Sequence, residues 1–188
     1  NALSVAAKLG LGVEMPSDGK YTLSDSIKIY GEVPFIHGNG SSLSVNSTGS
    51  LPYALRLGGD TNTTKFELND LTIDMNGLKK FAIWGKDVAG ATIDNVDIID
   101  ASFTAILLRP TAIGLKDITI SNSIIDLNWN ENASGNHYYG IEITNTLEPS
   151  SYKGTYALWQ QYLETGKIPG NVYDVSGIKI TGNQINGG

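Results

Sequence analysis

Four stretches of the chain superpose without gaps: Phe66-Glu-Leu-Asn-Asp-Leu-Thr-Ile-Asp74, Ala91-Thr-Ile-Asp-Asn-Val-Asp-Ile-Ile99, Ile118-Thr-Ile-Ser-Asn-Ser-Ile-Ile-Asp126 and Ile178-Lys-Ile-Thr-Gly-Asn-Gln-Ile-Asn186. Apolar residues recur in three columns: Phe66, Ala91, Ile118 and Ile178; Leu68, Ile93, Ile120 and Ile180; Ile73, Ile98, Ile125 and Ile185. Within each stretch the apolar positions alternate with polar ones on both sides of a two-residue interruption. That pattern reads as strand, corner, strand. The corner column is Asp70, Asn95, Asn122 and Gly182, residue types that tolerate a left-handed backbone.

A third strand fits between the repeats, at Ala54–Leu57, Ala82–Gly85, Ala105–Arg109 and Gly140–Thr144. Three short strands per roughly 25 residues, stacked in register, describe an all-β fold, the right-handed single-stranded parallel β-helix. One coil cannot bury its apolar side, whereas stacked coils make a continuous core. The alternative is an antiparallel β-sandwich, which also has short regular strands but has no need of aligned columns. The repeats start at 66, 91, 118 and 178, so the offsets are 25, 27 and 60 residues. The last is two periods, or one period carrying a long insertion.

Composition agrees with many strands and tight turns: 22 Gly, 16 Asn and 20 Ile in 188 residues. There is no Cys, which excludes a disulfide scaffold and Cys-ligated zinc or iron–sulfur. The two His, His37 and His137, lie far apart, which argues against a His-rich metal site. No apolar run approaches the roughly 18 residues of a membrane-spanning helix. A net charge of −6, from 13 Lys+Arg against 19 Asp+Glu, argues against a nucleic-acid partner.

The length suggests one β-helix domain over 1–188. Residues 1–12 read as a short amphipathic capping helix stopped by Gly10 and Gly12, covering the first coil. Regular coils follow over 13–128. Residues 129–174 break the period, hold six of the nine Tyr, and read as a loop-rich insertion with a short helix; 175–188 is a further coil. Such insertions in a compact repeat are usually functional or disordered. The start at Asn1 and the stop after a repeat strand read as a piece of a longer chain, with further residues or a partner chain over the C-terminal edge.

The segment Val13-Glu-Met-Pro-Ser-Asp-Gly-Lys-Tyr-Thr-Leu-Ser-Asp-Ser-Ile-Lys-Ile29, then Gly38-Asn-Gly40, resembles the opening of the pectate-lyase-like superfamily. There a helix precedes a proline–turn–Gly–x–Tyr strand and a Gly-rich turn. The coils resemble that family's x-Ile-x-Ile-x-Asn-x-x-Ile repeat. The resemblance implies the β-helix fold and a polysaccharide substrate. Its acidic, Cys-free character is most similar to bacteriophage tailspike depolymerases, which implies a homotrimer at an extracellular or virion surface and no cofactor. The Asn-Thr-Asp, Asp-Asp and Gly-His-Gly motifs of the pectin-hydrolase branch and the calcium site of the secreted pectate lyases are not found.

Two faces offer chemistry. Glycan hydrolases pair carboxylates about 5–5.5 Å or 6.5–9.5 Å apart, and neighbouring strands lie about 4.8 Å apart. With Ile73, Ile98 and Ile125 inward, Asp74, Asp97 and Asp126 point outward, with Asp100 just beyond. The plainer reading of this ridge is surface charge. On the third strands, the outward side chains are Arg56, Trp84, Leu107, Arg109, Glu142 and Thr144. Sugar rings stack on aromatics and acidic sugars pair with Arg. The loop carrying His137, Tyr138 and Tyr139 enters this face. We therefore expect Glu142, Asp126, Asp100 and His137 as catalytic candidates, and Trp84, Arg109, Arg56, Tyr138 and Tyr139 as substrate-binding ones, with no metal. The plainer reading packs Trp84 under the loop and pairs Glu142 with Arg109. Asn46-Ser-Thr, Asn62-Thr-Thr and Asn132-Ala-Ser match the glycosylation sequon, a match frequent by chance.

Two functions follow as expectations. One is a lyase or glycoside hydrolase that binds and depolymerises a polysaccharide. The other is a non-catalytic β-helical adhesin or spike shaft.

Overall fold

The structure is a computed structural model that describes residues 2–29, 35–47, 49–110, 114–128, 139–143 and 175–187. It is all-β apart from one short N-terminal helix among the described residues, α1 (Ala2–Leu9). The strands are β1 (Val13–Glu14), β2 (Lys20–Leu23), β3 (Ile27–Ile29), β4 (Phe35–Val45), β5 (Tyr53–Asp74), β6 (Phe81–Ala101), β7 (Ile106–Arg109), β8 (Leu115–Ser121), β9 (Ile124–Leu127), β10 (Ile141–Ile143), β11 (Val175–Thr181) and β12 (Gln184–Asn186). Among the described residues all twelve strands belong to one sheet, and each strand pairing in it is parallel. That pattern does not fit the antiparallel sandwich.

The gapless alignment of the repeats is the physical register. Phe66 pairs with Ala91 and Leu68 with Ile93, Ile93 with Ile120, and Ile118 with Ile178 and Ile120 with Ile180. Ile73 pairs with Ile98, Ile98 with Ile125 and Ile125 with Ile185. The third strands align as Leu55, Ile83, Ile106 and Ile141. Because β11 stacks directly on β8 and β12 on β9, the offset of 60 is one step of the ladder with extra chain in it.

These columns fill a single apolar core. Ile73, Ile98 and Ile125 are each 0% exposed, while Ile185, in the last layer, is 50% exposed. Full burial of one such side chain stabilises by roughly 1.5–3 kcal/mol, so the interior layers carry the stability and the last layer little. At the other end α1 lies against β3. It buries Ala6 and leaves Val5 and Leu9 exposed.

The strands are longer than the pattern suggests. Tyr53–Asp74 and Phe81–Ala101 run unbroken through the expected corners. A corner need not interrupt a parallel ladder when each neighbour bends at the same place. The bend residues are left-handed: Asn39, Asp70, Asn95 and Asn122 have φ near +50°, and Gly182 has +67°. A second left-handed column, at Lys65, Gly90, Asp117 and Gly177, lies one residue before the aligned repeats.

Candidate functional site

The outward side of the third strands forms two adjacent rows. Lys28, Arg56, Trp84, Leu107 and Glu142 align in one; Gly58, Lys86 and Arg109 align in the next. Strand alternation puts both rows on the face opposite Leu55 and Ile83. Four cations, Lys28, Arg56, Lys86 and Arg109, thus gather on one face of a chain whose net charge is −6.

Trp84 is the centre of this face. The Arg56 guanidinium carbon lies 5.4 Å from its ring centroid and Lys86 Nζ 4.9 Å. The Tyr53 ring is 5.1 Å away and the Phe81 ring 6.1 Å, with Phe103 tilted against Phe81 at 4.8 Å. A cation over an indole contributes about 0.5–2 kcal/mol depending on desolvation. Trp84 is therefore half-buried and flanked by cations, where the sequence suggested a bare platform. Arg109 and Leu107 are also less open than expected: both sides of β7 are buried, with Leu107 at 2% and Arg109 at 9% exposure. Glu142 is half-buried with Leu107 as its register neighbour. Tyr139 is exposed at the entrance to β10, and its carbonyl accepts from the Ala105 N–H at 2.9 Å. His137, Tyr138 and Thr144 lie outside the described residues.

The other carboxylate candidates sit elsewhere. Asp126 is on β9, which pairs with β6 and β12, whereas Glu142 is on β10, which pairs with β7. Asp126 accepts from Asn186 Nδ2 at 2.5 Å, and Asp100, itself left-handed, accepts from Asn128 Nδ2 at 2.6 Å. Asp97 accepts the Ile124 N–H at 3.1 Å, and Asp94 accepts from Ser121 Oγ at 2.6 Å and Asn122 Nδ2 at 2.8 Å. Along this side the acids and amides tie one layer to the next. Asp70 and Asp97 also line an open cleft of about 350 Å³ with Asn39, Gly40, Leu71, Thr72 and Asn95.

No family model, curated protein or solved structure matches this chain. The functional reading therefore rests on residue geometry. Among the described residues, no three His, Asp or Glu side chains are placed to hold a metal ion, and no helix is long and apolar enough to cross a membrane.

One cluster was not read from the sequence. His37 Nδ1 lies 2.8 Å from Glu14 Oε1, and its Nε2 is 3.7 Å from Glu67 Oε2. Asn39 Nδ2 donates to Glu14 Oε2 at 3.1 Å, and the Phe35 ring stacks on His37 at 4.3 Å. The hydrogen bonds from Asn39 and His37 hold the Glu14 carboxyl below its ordinary value. Glu14 and His37 are 23 residues apart, one ladder step; that spacing is the signal which could have found them. The Nε2 atom is buried, so the cluster reads as a clamp between layers.

Proposed function

We propose that the chain is a section of a right-handed parallel β-helix that binds an acidic polysaccharide along the outward face of its third strands, as a depolymerising spike protein would. The observation that carries this reading is the Arg56–Trp84–Lys86 cluster, where two cations flank an indole on an otherwise acidic protein. Indole and tyrosyl rings offer apolar area to sugar faces, and guanidinium and ammonium groups offer donors to their acid groups. The ladder supports the fold, because each layer repeats the one before it in register and extends the face along one direction. An extended polymer suits such a face.

Cleavage is the catalytic form of the proposal, with Glu142 as acid or base and Tyr139 beside it. A binding-only shaft is the second form. It is favoured by Leu107 as the register neighbour of Glu142 and by the placement of Asp100 and Asp126 on other strands. Incubation with acidic polysaccharides, followed by reducing-end release and absorbance near 232 nm, separates the two forms. Glu142→Gln abolishes activity with binding retained if Glu142 does the chemistry. Binding without any product, in wild type as in variant, leaves the shaft. Absence of binding to any polysaccharide defeats both. The proposal extends to an extracellular or virion-surface setting and a homotrimer or longer chain over the last layer; the exposed Ile180 and Ile185 support such a cover.

A further inference from the structure

Three side chains on this face carry buried polar atoms without a hydrogen-bond partner: Tyr53 Oη, Arg56 Nε and Trp84 Nε1. They are neighbours. The Tyr53 and Trp84 ring centroids are 5.1 Å apart, and the Arg56 guanidinium carbon lies 6.0 Å from one and 5.4 Å from the other. Tyr53 is only 1% exposed. Buried donors without partners are uncommon and destabilising. Three in one cluster point to a shared missing partner. Arg and Trp can only donate, and a phenol can donate as well; the group that satisfies all three is an acceptor. With the Lys86 ammonium 4.9 Å from the same indole, the favoured acceptor is an anion.

We infer that Tyr53, Arg56 and Trp84 form a subsite for an oxyanion carried by the polysaccharide, either a uronate carboxylate or a sulfate ester. This rests on the proposed glycan face and specifies what that face reads. The three atoms are buried, so the anion reaches them as the half-exposed Arg56 side chain, which lies over both rings, swings aside. Lys86 adds charge. The phenol and indole N–H groups add direction, which a bare cationic surface lacks.

The test is calorimetric titration of the whole protein with four polymers: polygalacturonate, its fully methyl-esterified form, chondroitin sulfate and dextran. Tyr53→Phe removes one hydroxyl, and Trp84→Phe removes the indole N–H. The expected result is tight binding of one anionic polymer, binding of the ester and dextran weaker by at least about tenfold, and a several-fold loss for each variant on the anionic polymer alone. Preference for polygalacturonate assigns the carboxylate, and preference for chondroitin sulfate the sulfate. Tyr53→Phe without polymer should melt at or above the wild-type temperature, since it deletes a group that has no partner. Equal binding of both anionic polymers and dextran, or variants that bind the favoured polymer like wild type, overturns the subsite while leaving the glycan face standing. No binding of any polymer to wild type overturns the face itself.

Discussion

Asn95 donates through Nδ2 to Asp70 Oδ1 at 2.6 Å across one layer of the ladder, and both residues hold a left-handed backbone, with φ of 51° and 49°. The pair does two jobs at once, turning the chain and tying two layers. Asn95→Ala loses both: without a short polar side chain to offset it, the left-handed conformation costs about 1–2 kcal/mol, and the lost hydrogen bond costs about 1 kcal/mol more at an exposed position. Asn95→Gly keeps the bend and loses only the bond. Urea unfolding should place the Gly variant between wild type and the Ala variant. Equal losses for the two substitutions would show that backbone strain at the corner contributes nothing.

The core should lose stability by layer. Ile98 is 0% exposed and flanked by Ile73 and Ile125, so Ile98→Ala should cost about 2–5 kcal/mol. Ile185 occupies the same column but is 50% exposed, so in the isolated chain Ile185→Ala should cost less than about 1 kcal/mol. Denaturant midpoints of the two variants decide this. Similar costs would mean that the last layer is covered in solution.

These two cases show what the sequence revealed. The inward columns were legible because a parallel ladder forces like residues into register, so Ile73, Ile98 and Ile125 align in sequence and in space. The corner at Asp70, Asn95 and Asn122 was legible for the same reason, because few residue types accept the bend. The second left-handed column was missed because Lys65 breaks the run of Gly90, Asp117 and Gly177. The Trp84 face was legible as a list of outward residues. Its state was not: whether an outward side chain stays open depends on neighbours two residues along the strand and one layer away, such as Lys86 and Arg56. Alternation marks the side that Leu107 and Arg109 face but not their burial there.

The clamp at His37 predicts a pH response. The lowered Glu14 carboxyl stabilises the folded state wherever the unfolded group, near 4.5, is already ionised. That contribution is complete above this pH and is lost as pH falls through the lower folded value. Wild type should therefore exceed Glu14→Gln in stability at pH 6 and converge with it as the solution is acidified below about 4.5. Unfolding curves at several pH values check this. A constant difference between the two proteins across that range would show that the carboxylate is not coupled to folding.

The cationic-aromatic face on the third strands is the proposed holding site for acidic polysaccharide. Affinity electrophoresis through gels containing polygalacturonate, alginate or chondroitin sulfate tests it most directly, with wild type run beside the Arg56→Gln, Lys86→Gln double variant. At least one polymer should retard the wild type, and the double variant should need about tenfold more of it, equivalent to roughly 1.4 kcal/mol of lost binding. Equal retardation of both proteins, or no retardation of wild type by any of the three polymers, would contradict it.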